Sequence, residues 1–92
     1  MNVSEMTLTK VFPVQKQHTY DGIETRFSAV GHGKTVCISQ IEDQPLYVDL
    51  YDFEAGSVED LQDRKADKSF ELNQVMPSGD HLHQLAAHYL AE

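Results

Sequence analysis

The chain has 92 residues, 40% of them hydrophobic, with four Tyr, four Phe, one Cys and no Trp, and a formal charge of −8 at pH 7. A chain this short buries only about 60–65% of the surface its unfolded form exposes, so one modest core and a single domain over 1–92 are expected. The negative excess disfavours nucleic acid and anionic lipid as direct partners, because affinity for phosphates rests on cations displacing counterions.

The first residues lack the charged, apolar and small-residue order of a secretory leader, and no run of roughly 18 apolar residues occurs, so a soluble cytoplasmic chain is expected. A lone cysteine, Cys37, leaves no partner for an intrachain disulfide and no CxxC for a thiolate zinc site. The charge is also uneven. Residues 1–41 carry four Lys/Arg against three Asp/Glu, residues 42–67 two against nine, and residues 68–92 one against three.

In chain order, residues 3–14 alternate, with Met6, Leu8, Phe12 and Val14 on one side and Thr7 and Thr9 on the other. This reads as a long strand in which Pro13 marks an edge or a bulge. The polar stretch QKQHTYDG (15–22) follows as a connection with an Asp21-Gly22 turn signal. IETRFSAV (23–30) alternates again, with Ile23, Thr25, Phe27 and Ala29 aligned. KTVCISQI (34–41) is rich in β-branched residues, with Val36 and Ile38 on one side and Cys37, Ser39 and Ile41 on the other. In that position Cys37 reads as a small packing residue.

EDQP (42–45) has turn chemistry, and LYVDLYDF (46–53) sets Leu46, Val48 and Leu50 against Tyr47, Asp49 and Tyr51. Residues 57–68 open with Ser57 ahead of Asp60, with Glu59 and Asp60 early and Arg64, Lys65 and Lys68 late, which suits a helix dipole. The apolar stripe there is thin, so a short exposed acidic helix is expected. SFELNQV (69–75) aligns Phe70 and Leu72 as a last strand, and MPSGD breaks the chain. Leu82, Leu85, Ala86, Tyr89 and Leu90 then recur at helical period, with Asp80 or Ser78 as the cap. The fold class is α+β. An antiparallel sheet of four or five strands carries the C-terminal amphipathic helix on one face, and the other face is left at least partly open.

VGHGKT (30–35) is close to a phosphate-binding loop but has Ser28 where the first glycine belongs. The residues after Thr35 form a strand pattern, whereas phosphate capture needs a helix N-terminus. A hairpin turned by Gly31 and Gly33 is the reading that fits.

Of the five histidines, His81, His83 and His88 fall on the last helix. His81 and His83 diverge by about 200°, and His81 and His88 stand about 10 Å apart along the axis, so no pair there chelates a metal alone. No local spacing joins Cys37 to a base, so neither enzymatic activity nor a cofactor is expected. Protonating all five histidines would move the formal charge from −8 to −3. Charge-driven association is therefore expected to weaken as pH falls toward about 5.

The stretch 45–60 carries most of the functional signal. Tyr47, Asp49 and Tyr51 share a strand face, with Asp52, Glu54, Glu59 and Asp60 at its end and Asp63 beyond. Tyrosines supply stiff contact area with a polar tip, and carboxylates complement Lys and Arg. Tyr47, Asp49 and Tyr51 are the expected anchors, while Glu54, Glu59, Asp60 and Asp63 steer a partner's approach. The expected function is a small acidic, non-enzymatic protein-binding module that neutralises or regulates a basic partner. It would be immunity-, antitoxin- or inhibitor-like, its carboxylates open to imitating nucleic-acid phosphates. A solvated face, or a homodimer in which two open faces or edges meet, competes for the same residues. The alternative function is a dimeric small-ligand or metal-binding domain that uses the histidine-bearing helix.

Overall fold

The computed structural model describes residues 8–91. It contains β1 (Lys10–Val11), β2 (Gln15–Thr19), β3 (Gly22–Gly31), β4 (Lys34–Ile41), β5 (Leu46–Tyr51), a 3-10 turn (Val58–Leu61), β6 (Lys68–Leu72) and helix α1 (Asp80–Leu90). All pairings are antiparallel in the order β1-β3-β4-β5-β6, with β2 following β1 along the same side of β3. The fold is α+β, as the alternating strands and the helical period imply. No helix among the described residues is long and apolar enough to cross a membrane.

The first strand departs from expectation. Residues 3–7 of the segment 3–14 lie outside the described residues. Val11 pairs with Ala29 and Gln15 with Arg26, so Phe12, Pro13 and Val14 oppose only Phe27 and Ser28. That one-residue excess is a bulge at a proline, which has no N–H to give the ladder. Beyond it QKQHT, expected as a polar connection, runs on as β2. Its side chains are mostly exposed, so its strand character comes from backbone pairing with β3 and leaves no hydrophobic trace in the sequence.

The turn of VGHGKT is a hairpin between β3 and β4, with Gly31 paired to Lys34. Positive φ falls on His32 (53°) and Gly33 (73°), not on Gly31 as expected, because a two-residue loop that matches strand twist needs both of its central residues there.

One sheet face is filled. Phe27, Ala29, Val36, Ile38, Leu46, Val48 and Leu50 pack against Leu82, Ala86, Tyr89 and Leu90 of α1. Each buried Val, Leu, Ile or Phe side chain among them contributes about 1.5–3 kcal/mol by leaving water. The helix starts at Gly79 (φ 59°) with no side-chain cap bond, so neither Asp80 nor Ser78 serves as the expected cap.

On the opposite face, the segment after β5 folds back over part of the sheet. Cys37, Tyr51, Ala55 and Leu61 form a second, smaller cluster, flanked by Phe53 and Ala66. Thr35 ties this segment down: its buried hydroxyl donates to the Phe53 carbonyl at 2.7 Å and accepts from the Ala55 N–H at 2.9 Å. The helix expected over 57–68 shrinks to the single turn Val58–Leu61. Leu61 is its one buried residue, too little apolar surface to extend a helix whose nucleation is costly. The last strand covers Lys68–Leu72 and stops short of Val75.

Candidate functional site

Because side chains alternate, the register places Glu24 and Arg26, Ser39 and Ile41, Tyr47 and Asp49, and Ser69 and Glu71 on the face away from α1. The returning segment covers the other half of this face, above Thr35, Cys37 and Tyr51. An open half remains, running from β3 to β6.

Its polar groups hold one another in place. Tyr47 is 41% exposed and sits across from Glu71. Hydrogen bonding toward the Glu71 carboxylate, then its negative charge, pushes the Tyr47 phenol above its usual range. Asp49 accepts from the Ser69 hydroxyl at 2.7 Å. On β3, Arg26 Nε lies 3.3 Å from Glu24 Oε1, which also accepts from Gln17 Nε2 at 3.0 Å. The result is a strand surface with an accessible aromatic ring between two carboxylates.

Of the residues picked out by sequence, Tyr47 and Asp49 stand on this open half. Tyr51 shares their face but is only 8% exposed, its ring edge-on to Phe53 at 6.2 Å beneath the returning segment. Asp52, Glu54, Glu59 and Asp63 are exposed along that segment, at one end of the open face. Asp60 is exposed as well, but one carboxylate oxygen accepts from the Gly56 and Ser57 N–H groups. Glu71 and Ser69 complete this face from β6, which no motif in the sequence marks. The alignment of Phe70 with Leu72 already implied that they face the other way, but nothing local indicates that β6 lies beside β5.

A cleft of about 200 Å³ separates the open half from the 3-10 turn, with Arg26, Asp49 and Arg64 at its rim and Cys37 toward its floor. Burial pushes the Cys37 thiol up, outweighing a hydrogen bond with Ser28 that pulls it down. The thiol is therefore held in its protonated, weakly nucleophilic form. The Arg64 guanidinium lies 3.9 Å from the centre of the Phe53 ring.

The histidines are scattered. His32 tips a hairpin, His18 is exposed on β2, the His83 ring packs at 5.3 Å from Phe27, and the His88 ring sits edge-on to Tyr89. Among the described residues no group of three His, Cys, Asp or Glu side chains forms a metal-binding cluster.

No known family, characterised protein or solved structure matches this chain.

Proposed function

We propose that this chain is a small acidic protein-binding module that neutralises or regulates a basic partner protein without catalysis of its own. The observation that carries this reading is Tyr47, exposed between Asp49 and Glu71 on a face that α1 does not cover. An amphipathic ring on a stiff strand gives contact area at little entropic cost, and the flanking carboxylates select Lys and Arg. The exposed acids Asp52, Glu54, Glu59 and Asp63 extend the negative field beside it and raise the rate of encounter.

Affinity capture with the immobilised chain, followed by salt elution, tests this. A basic protein should be retained by the wild type and released as salt rises. It should be lost from a variant carrying Tyr47→Ala and Glu71→Ala, both exposed positions whose replacement leaves the core intact. Equal retention by the two proteins would remove this face from consideration.

A further inference from the structure

The two edges of the sheet differ. On the β1–β2 side the ladder is broken by the Pro13 bulge and lined by Lys10 and Lys16, devices that discourage strand addition and repel a basic segment. β6 has neither bulge nor proline, and among the described residues no strand lies beyond it.

Ladder parity shows which backbone groups β6 offers. Glu42 N–H donates to the Ile23 carbonyl at 3.2 Å, so Ile23 and Glu42 form a hydrogen-bonded pair. Such pairs alternate along antiparallel strands, so Val36, Ile38 and Gln40 bond toward β3, and Thr35, Cys37 and Ser39 toward β5. By the same alternation Leu46, Val48 and Leu50 bond toward β6, engaging Leu72, Phe70 and Lys68. The N–H and C=O groups of Ser69 and Glu71 therefore point outward from the edge. Among the described residues no backbone bond from elsewhere in the chain reaches them.

The side chains along this edge are two-faced. Toward α1, Phe70 and Leu72 are only partly buried, and Val75 just beyond is 80% exposed. Toward the open face stand Ser69 and the carboxylate of Glu71, with Asp49 and Tyr47 one strand further in.

We infer that β6 is a docking edge for an extended segment of a basic partner, with basic and apolar side chains in alternation, which adds antiparallel to the sheet as a further strand. Its basic side chains, opposite Ser69 and Glu71, reach the carboxylates of Glu71 and Asp49. Its apolar side chains, opposite Phe70 and Leu72, complete the half-covered margin of the core. Backbone bonds to Ser69 and Glu71 supply affinity, and the alternation supplies specificity. Lys68 bounds the site at one end, on the α1 side. Charge favours this occupant over a second copy, which would bring another −8 to the same edge. The inference rests on the basic-partner reading and adds to it the mode of engagement.

The test uses a synthetic peptide of alternating Lys and Val, about seven residues long, enough to span β6 at ~3.3 Å per residue. Amide hydrogen exchange is followed by NMR in the full chain. The Ser69 and Glu71 amides should exchange fast in the free protein and slow by about tenfold or more at peptide saturation. A Glu-Val peptide should leave them unchanged. Methylating the lysine nitrogens of the peptide should abolish binding, because those N–H groups face the edge. Methylating the valine nitrogens should not.

Failure of the peptide to bind overturns the inference, as does binding that leaves both amides unprotected or ignores lysine methylation. If such binding is still lost in the Tyr47→Ala, Glu71→Ala variant, the acidic face remains the contact surface and only the edge mode falls. Protection that rises with protein concentration alone would assign the edge to a second copy and overturn the inference.

Discussion

Tyr47 on β5 and Glu71 on β6 stand directly opposite each other, and the Glu71 carboxylate favours the protonated form of the Tyr47 phenol. The pair joins two segments that are distant in sequence into one acidic, aromatic surface. It also has a spectroscopic consequence. Hydrogen bonding toward Glu71 and the carboxylate charge both favour the neutral phenol, so Tyr47 ionises above its ordinary value of 10.0. Spectrophotometric titration should show two late-ionising tyrosines, Tyr47 and Tyr51, of which Tyr47→Phe removes one. In Glu71→Ala the Tyr47 ionisation should move back toward 10.0. A Tyr47 titration indifferent to Glu71 would mean that the pair does not form in solution.

Alkaline pH should weaken the fold from the other end of the same face. Burial raises the Cys37 thiol above 9.0, and burial, then the charge of Asp49, raises the Tyr51 phenol above 10.0. In each case the folded state keeps a proton that the unfolded chain has already released. The stabilisation is whole below the unfolded values and is lost as pH climbs through the folded ones. The urea midpoint should hold steady up to about pH 8 and fall above about pH 9. Replacing Cys37 with Ala should delay the onset of that fall. A midpoint that stays flat to about pH 11 would contradict the burial of both groups.

Thr35 is the fastening between the sheet and the segment that covers it. The side chain is fully buried, donating to the Phe53 carbonyl and accepting from the Ala55 N–H. Thr35→Val keeps the shape, removes both bonds and strands two backbone groups, a loss of about 2 kcal/mol or more. Thr35→Ser keeps the hydroxyl and should lose less. Denaturant midpoints measure the difference, and hydrogen exchange at Ala55 should accelerate in the valine variant. Equal stability of Thr35→Val and wild type would show that the clamp is dispensable.

The two apolar clusters should respond unequally to truncation. Ile38 is fully buried in the centre of the sheet beneath α1, where neighbouring strands prevent collapse. Ile38→Ala should cost about 3–4 kcal/mol by lost transfer energy and the cavity left behind. Leu61 sits in a single 3-10 turn on a segment free to settle, so Leu61→Ala should cost less, about 2 kcal/mol. A larger loss at Leu61 than at Ile38 would reverse the assignment of main and secondary core.

The same physical distinction separates what was legible in the residues from what was not. Strands β3, β4 and β5 were legible because one face is buried on α1 and the other is more polar, and two-faced burial writes itself as alternation. The hairpin at VGHGKT followed from the strand pattern after Thr35, although the positive φ falls on His32 and not Gly31. β2 was hidden because an edge strand whose side chains are mostly exposed buries no apolar face for a sequence pattern to record. The helix expected over 57–68 reduces to Val58–Leu61, since charges that suit a dipole do not provide the apolar contact that sustains a helix.

Local pattern and composition already carried the class of fold, the grouping of Leu46, Val48 and Leu50 against Tyr47, Asp49 and Tyr51, and the acidity of the chain. Periodicity is a local property, and charge is additive. The fold in three dimensions settles which sheet face α1 covers, that Tyr51 is roofed over while Tyr47 stays open, that Glu71 and Ser69 join the face, and that among the described residues no strand pairs with the outer edge of β6. Those outcomes depend on which distant segment returns to which strand. That is settled by the competition of whole faces for cover, which no short window of residues records.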